Sequence, residues 1–198
     1  CWIEAFEHFG KTIAFDVMGK QIGKAGVLLV PDLLDAREMR KFGKKLKDYR
    51  SELFKKRYMK QIEPFPGVTA AMRALRDREI RLVLSSSSNP DEVEYYTELL
   101  DAGDLVESTT SKGDAEMSKP SPEIFEAGLQ RLGTDGARTL VVGDTPYDIL
   151  AAHRAALPVA AGLCGGFERE LLQKAEFIFE DVPDLVRKID SIDEYFTD

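Results

Sequence analysis

Apolar residues in the first 62 positions recur at helical spacing and nowhere alternate as a half-buried strand would. In WIEAFEHFG, Trp2, Ala5, Phe6 and Phe9 fall on one face, and Gly10 stops the run. FDVMGKQIG reads as a short second helix. DAREMRKFGKKLKDYRSELFKKRYMKQI reads as one long helix whose apolar stripe is Met39, Phe42, Leu46, Tyr49, Leu53, Phe54 and Met59. The expectation for residues 1–62 is a helical domain.

At EPFPGVTAAM the texture changes, with Pro64 and Pro66 as breakers. A helix after Gly67 carries Val68, Met72 and Leu75. IRLVLSSSS follows as a buried strand, and NPDEVEYYTELL as a helix with Asn89 as N-cap and Pro90 at its first position. DLVESTTS is a short polar strand. SPEIFEAGLQRLG is a helix that Ser121 caps, Pro122 begins and Gly133 closes. ARTLVVGD, LPVAAGLC and EFIFE read as strands, PYDILAAHRAAL as a helix, and the tail as helix. Strand and helix alternating over residues 63–198 predict an α/β domain, a Rossmann-like parallel sheet with helices on both faces.

Composition adds limits. At 198 residues, 43% of them hydrophobic and 31% charged, the chain has the makeup of a globular protein with one core and a smaller accessory domain. No apolar run approaches the ~20 residues that cross a bilayer, so no membrane partner is expected. The two cysteines, Cys1 and Cys164, have no metal-ligand spacing, and a reducing cytoplasmic setting is the default. A net charge of -8 argues against nucleic acid as a partner. The charge is uneven: between Arg37 and Lys60 stand eleven Lys/Arg and three Asp/Glu. Such a segment is either a solvated helix face or a means of steering anions.

Ligands of open parallel sheets sit beyond the carboxyl ends of the strands. That rule selects Ser85 to Ser88, Ser108 to Lys119, Asp144 to Asp148, and Gly165-Gly166. Asp144 follows Gly143 at a strand end, and Asp148 stands four positions later. Two such carboxylates suit a hard cation such as Mg2+, which takes a few carboxylates with phosphate and water; helix capping by Asp144 is the alternative. Ser86 ends its strand where its hydroxyl and the amides of Ser87 and Ser88 face a helix start, an arrangement that favours an oxyanion. Lys119 precedes Pro120, which keeps it out of helical geometry.

A strand ending in serine, a lysine before a Pro-x-Pro helix start, and Gly-Asp-x-x-x-Asp after a later strand occur here in that order. PFPGV, SSSS, SKPSPEIF, GDTPYDI and AGLCGGF together resemble the haloacid-dehalogenase-like superfamily, in its phosphoglycolate phosphatase and beta-phosphoglucomutase branch with an N-terminal helical cap. The resemblance runs from Cys1 to about Ile192. It implies a Mg2+-dependent phosphatase of a small phosphorylated metabolite, in which an aspartate attacks phosphorus to form an aspartyl-phosphate that water hydrolyses. It assigns Asp144 to the metal, Ser86 and Ser87 to the phosphate, Lys119 to the nucleophile and phosphate, and Asp148 to orienting the loop or the metal's waters. IGKAG in the cap matches a substrate-specificity loop, which makes Gly23 and Lys24 substrate contacts; a solvent-facing helix end is the other reading of Lys24. A phosphomutase and a non-catalytic scaffold are the competing functions.

The family also needs an apolar strand ending in Asp-x-Asp-Gly-Thr ahead of the cap, and none is present. Asp32 and Asp35 have the wrong spacing and follow a cap helix. The expectation is that the central, nucleophile-bearing strand is missing from these 198 residues, that the chain alone is inactive, and that the sheet shows a gap beside the Asp144 strand.

Overall fold

The computed structural model describes residues 1–111, 113–114 and 118–197. The chain divides into two compact units, Cys1–Glu63 and Pro64–Asp198.

The first unit is helical. It contains α1 (Trp2–His8), α2 (Phe15–Gly19) and α3 (Gly26–Leu33). Gly10, at φ 77°, ends α1, as its position in the pattern predicts. The long helix is not regular. It runs as α4 (Ala36–Glu38), a π turn (Met39–Gly43), α5 (Lys44–Leu53), a second π turn (Phe54–Tyr58) and a 3-10 turn (Met59–Gln61). Asp35 starts it with a capping box: its Oδ1 accepts from the amides of Arg37 and Glu38, and Glu38 returns a bond to the Asp35 amide. The adjacent apolar residues Leu53 and Phe54 cannot share one narrow 3.6-residue stripe, and the second wide turn begins at that pair. Phe6, Leu29, Val30 and Leu46 are fully buried at the centre, with Phe42 packed against them and stacked on Phe9 at 5.3 Å.

The second unit alternates helix and strand: α6 (Val68–Asp77), β1 (Val83–Ser85), α7 (Pro90–Leu99), β2 (Ser108–Thr110), α8 (Glu123–Leu132), β3 (Val141–Gly143), α9 (Pro146–Arg154), β4 (Val159–Gly162), α10 (Arg169–Leu172), β5 (Phe177–Phe179), α11 (Val182–Arg187) and α12 (Ile189–Tyr195). All five strands fall inside the segments read as strands from the sequence. They pair in parallel, but in two sheets, β1–β2 and β3–β4–β5. Among the described residues no ladder joins β1 to β3. Helix α8 packs on β1 and β2 and also meets α9, which packs on β3 and β4.

Strand β4 is buried along its whole length. Val159 and Ala161 enter one cluster with Ile124, Val141, Ile149 and Leu172, while Ala160 enters another with Phe179, Leu185 and Ile192. This is how a parallel strand covered on both faces behaves. β3 is less covered, and Val142 is 52% exposed.

Helix starts and stops mostly follow their residues. Asn89 forms a capping box with Glu92 at the start of α7, and Gly133 closes α8 in the left-handed conformation. Ser121 does not cap α8. The helix begins at Glu123 after Pro122, and the Ser121 hydroxyl donates to the Glu123 side chain at 3.3 Å instead. Among the described residues no helix is long and apolar enough to cross a membrane.

Candidate active site

The site grows from the junction of β3 and α9. Gly143 ends the strand, and a Cβ there would sit 2.5 Å from the Cβ of Asp148, so only a glycine lets α9 close back on the strand end. Thr145 is the N-cap of α9. Its Oγ1 accepts from the Asp148 amide at 3.2 Å and donates to Asp148 Oδ2 at 2.7 Å. That same Oδ2 accepts from the amides of Thr145 and Asp144 at 3.0 and 3.3 Å. The remaining oxygen, Oδ1, accepts from Lys119 Nζ at 2.6 Å. Asp148 is therefore saturated. It ties the start of α9, the Asp144 turn and the Lys119 loop into one unit.

The two carboxylates have opposite electrostatics. Asp148 is buried, which by itself would raise its pKa, but the Lys119 charge and the bonds from Lys119, Thr145 and the Asp144 amide outweigh burial and hold it below the usual carboxylate range. Asp144 is pushed up, first by burial and then by the neighbouring Asp148 charge, with Lys119 only partly opposing. The close fit continues on the far side of Asp144, where a Cβ on Gly165 would lie 2.4 Å from its Cβ and Oδ2.

A half-buried carboxylate with a raised pKa beside a second carboxylate is a group that a cation would relieve. Among the described residues no three His, Cys, Asp or Glu side chains are grouped to hold a metal. Magnesium needs no such cage, since one or two carboxylates with phosphate and water suffice. Asp144 fits that part. Asp148, with both oxygens engaged, fits the orienting part.

The structure thus brings Lys119, Asp144 and Asp148 together. Ser86 and Ser87 form a separate group at the carboxyl end of β1. The Ser86 amide donates to the Thr110 carbonyl at 3.2 Å, and its Oγ accepts from the Ser88 amide at 3.1 Å, curling the loop into the start of α7. The hydroxyls of Ser87 and Thr110 are buried and have no hydrogen-bond partner among the described residues. Of the Ser108–Lys119 segment, Lys112 and residues 115–117 lie outside the described residues.

Gly23 and Lys24 belong to the first unit. Gly23 takes a left-handed φ of 98°. The Lys24 ammonium donates to Gln21 Oε1 at 2.8 Å and to Asp32 Oδ2 at 2.5 Å. Asp35 serves as a helix cap.

Two participants escaped the sequence reading. Thr145 was legible: Thr-x-x-Asp at a strand-to-helix turn is a capping-box pattern. Arg154 had no signal; it reaches from the end of α9 to the Pro120 carbonyl at 2.7 Å.

Residues 4–156 match the model of the family described as "haloacid dehalogenase-like hydrolase". YhcW of Bacillus subtilis (strain 168) is 30% identical over 155 residues, 78% of this chain and 70% of that protein. Pyrophosphatase PpaX of Oceanobacillus iheyensis is 28% identical over 127 residues, covering 63% of the chain and 59% of the relative. Phosphoglycolate phosphatase of Rhodospirillum rubrum is 29% identical over 123 residues, 61% and 51%. The chain thus spans about half to two thirds of the length of most of these relatives. Among solved structures, a hydrolase from Pseudomonas syringae superposes with a TM-score of 0.86 at 24% identity, covering 96% of this chain and 89% of that one.

Proposed function

Because the chain belongs to the haloacid dehalogenase-like hydrolase family, we propose that the complete protein is a Mg2+-dependent phosphatase of a small phosphorylated metabolite. The observation that carries this reading is the Lys119–Asp148–Asp144 arrangement: a half-buried ammonium aligned by one carboxylate, next to a second carboxylate that burial and the Asp148 charge push up. The names of the relatives, a pyrophosphatase and a phosphoglycolate phosphatase, point to phosphate chemistry as well.

In this reading Asp144 holds Mg2+, which neutralises phosphoryl oxygens when bound. Lys119 binds a phosphoryl oxygen and keeps its alignment through Asp148, a charge-assisted contact strengthened by burial. Ser86 and the amides that follow it, at the start of α7, receive another phosphoryl oxygen. The attacking group is an aspartate that forms an aspartyl-phosphate. None of the residues gathered here is that aspartate.

The two sheets suggest where it belongs. Among the described residues β3, leading to Asp144, is unpaired on the side away from β4, and β1, leading to Ser86, is unpaired on the side away from β2. One more parallel strand, ending in the nucleophilic carboxylate, would join the sheets and lie between the two groups. Residues 1–198 alone are then expected to be inactive.

The test uses a protein extended by a strand ending in Asp-x-Asp-Gly-Thr, assayed on a panel of phosphorylated metabolites with and without Mg2+. Asp144→Asn should lower magnesium affinity and turnover by at least about 10-fold while the fold persists. Unaltered magnesium dependence in that variant returns Asp144 to a helix-capping role. Robust phosphatase activity from residues 1–198 alone defeats the assignment of the nucleophile.

A further inference from the structure

We infer that Arg154 is a positioning residue, which fixes the reach of Lys119 by holding the backbone of its loop. Helix α9 grips that loop at two points. Near its start, Asp148 takes the Lys119 ammonium at 2.6 Å. At its end, the Arg154 guanidinium donates to the Pro120 carbonyl at 2.7 Å. The next residue, Ser121, is buried and closes the turn by donating its amide to the Ser118 carbonyl at 3.0 Å.

One grip alone is not enough to set the ammonium. A lysine carries a compact charge on a flexible four-carbon stem, so its ion pair with Asp148 survives a range of backbone positions. The second grip removes that freedom, because it fixes the carbonyl of the residue after Lys119. Both grips come from one helix, so the backbone positions from which they reach are fixed relative to each other. A guanidinium suits the task, since its charge does not titrate and its donors lie in a rigid plane. Lys119 is thereby pre-aligned, as a group that stabilises developing charge needs to be.

The inference takes its purpose from the proposed phosphatase reading, but its test does not depend on activity. The rate at which an amine-acylating reagent modifies Lys119 is measured by mass spectrometry in the full chain. The same samples give the thermal midpoint. In the wild type the Lys119 side chain is 18% exposed and paired, so modification should be slow. Arg154→Ala should speed modification of Lys119 by about three- to tenfold, with the rates of the other lysines unchanged. Arg154→Lys, which can still donate to the carbonyl, should recover most of the protection. In the extended, active protein, Arg154→Ala should lower kcat more than it raises KM. A Lys119 rate unchanged in Arg154→Ala overturns the inference, as does a general rise at all lysines. If Arg154→Ala does not fold, Arg154→Met, of similar length and without a donor, is read in the same way. A selective Lys119 change in a protein that never shows phosphatase activity would sink the functional reading and leave the clamp standing.

Discussion

The two sheets of the second unit are built from similar strands and differ in how completely they are covered. β4 lies between β3 and β5, is buried throughout, and carries its side chains into apolar clusters on both faces. At the adjacent end of β3 every oxygen of Asp148 has a donor. In the β1–β2 sheet five of the six residues are only half-buried, and Thr110, the exception, has a buried hydroxyl with no partner among the described residues. Ser87 is in the same position. A parallel strand is stable when neighbours cover both of its edges and helices cover both faces. The three-stranded sheet has one such strand, and the two-stranded sheet has none.

The largest expected effect comes from breaking the saturated end. Asp148→Ala removes the N-terminal bonds of α9 and leaves the Lys119 ammonium buried without its counter-charge. Loss of one partner of a buried pair costs about 3–5 kcal/mol, and urea unfolding would measure it. A loss under about 1 kcal/mol would mean that the pair is screened like a surface one. The pH dependence has a definite sign. Asp148 is depressed in the folded state, so its contribution is complete above the ordinary carboxylate pKa of about 4. It disappears as pH falls through the lower folded value, and the gap between wild type and Asp148→Asn should close in that acid range. Asp144 runs the other way. Its folded pKa is raised, so the ionised form opposes folding at neutral pH, and protonation on acidification favours the fold. Asp144→Asn should therefore raise the urea midpoint at pH 7.

On the other sheet the corresponding change should help. Thr110→Val keeps the shape and removes a buried hydroxyl that has no partner, so stability should hold or rise by about 1–2 kcal/mol. A clear loss in urea unfolding would show that the hydroxyl has a partner, such as ordered water, and would weaken the contrast between the sheets.

The smallest effects concern helix ends, one serving each sheet. Ala156, at φ 56°, follows α9, and Asp101, at φ 49°, follows α7. Alanine in the left-handed region is strained by about 1 kcal/mol, whereas aspartate tolerates it better. Ala156→Gly should stabilise by roughly that amount in thermal unfolding. Asp101→Gly should gain less, because it also loses the ion pair with Arg73. Equal gains would indicate that both turns are relaxed.

Local pattern made much of this legible. The strands ending near Ser86, Thr110 and Asp144 were readable as apolar or β-branched runs closed by turn residues. Asn89 and Gly133 act as the caps their types suggest. Where two local rules competed, the reading failed: Ser121 and Pro122 are both good helix starters, and the first turn begins at Glu123 with Pro122 at the cap position. The wide turns of the 36–61 helix were also hidden. The first of them brings Met39, which packs against the core, close to Gly43, where a Cβ would lie 2.8 Å from the Met39 sulfur.

By itself, then, the sequence determined which segments became helix or strand and that Lys119, Asp144 and Asp148 lie at or near strand ends, because backbone propensity, capping and strand-end position act over a few residues. Only the tertiary structure decided how that set is wired. Lys119 lies 29 positions from Asp148 and Arg154 lies 34 from Pro120, so no local spacing could disclose either pair. The absent Asp-x-Asp-Gly-Thr strand led to an expected gap beside the Asp144 strand, but which strands pair with which was left to the tertiary structure. Ladder pairing joins backbone groups that are distant in sequence, and each strand was recognisable without its neighbour.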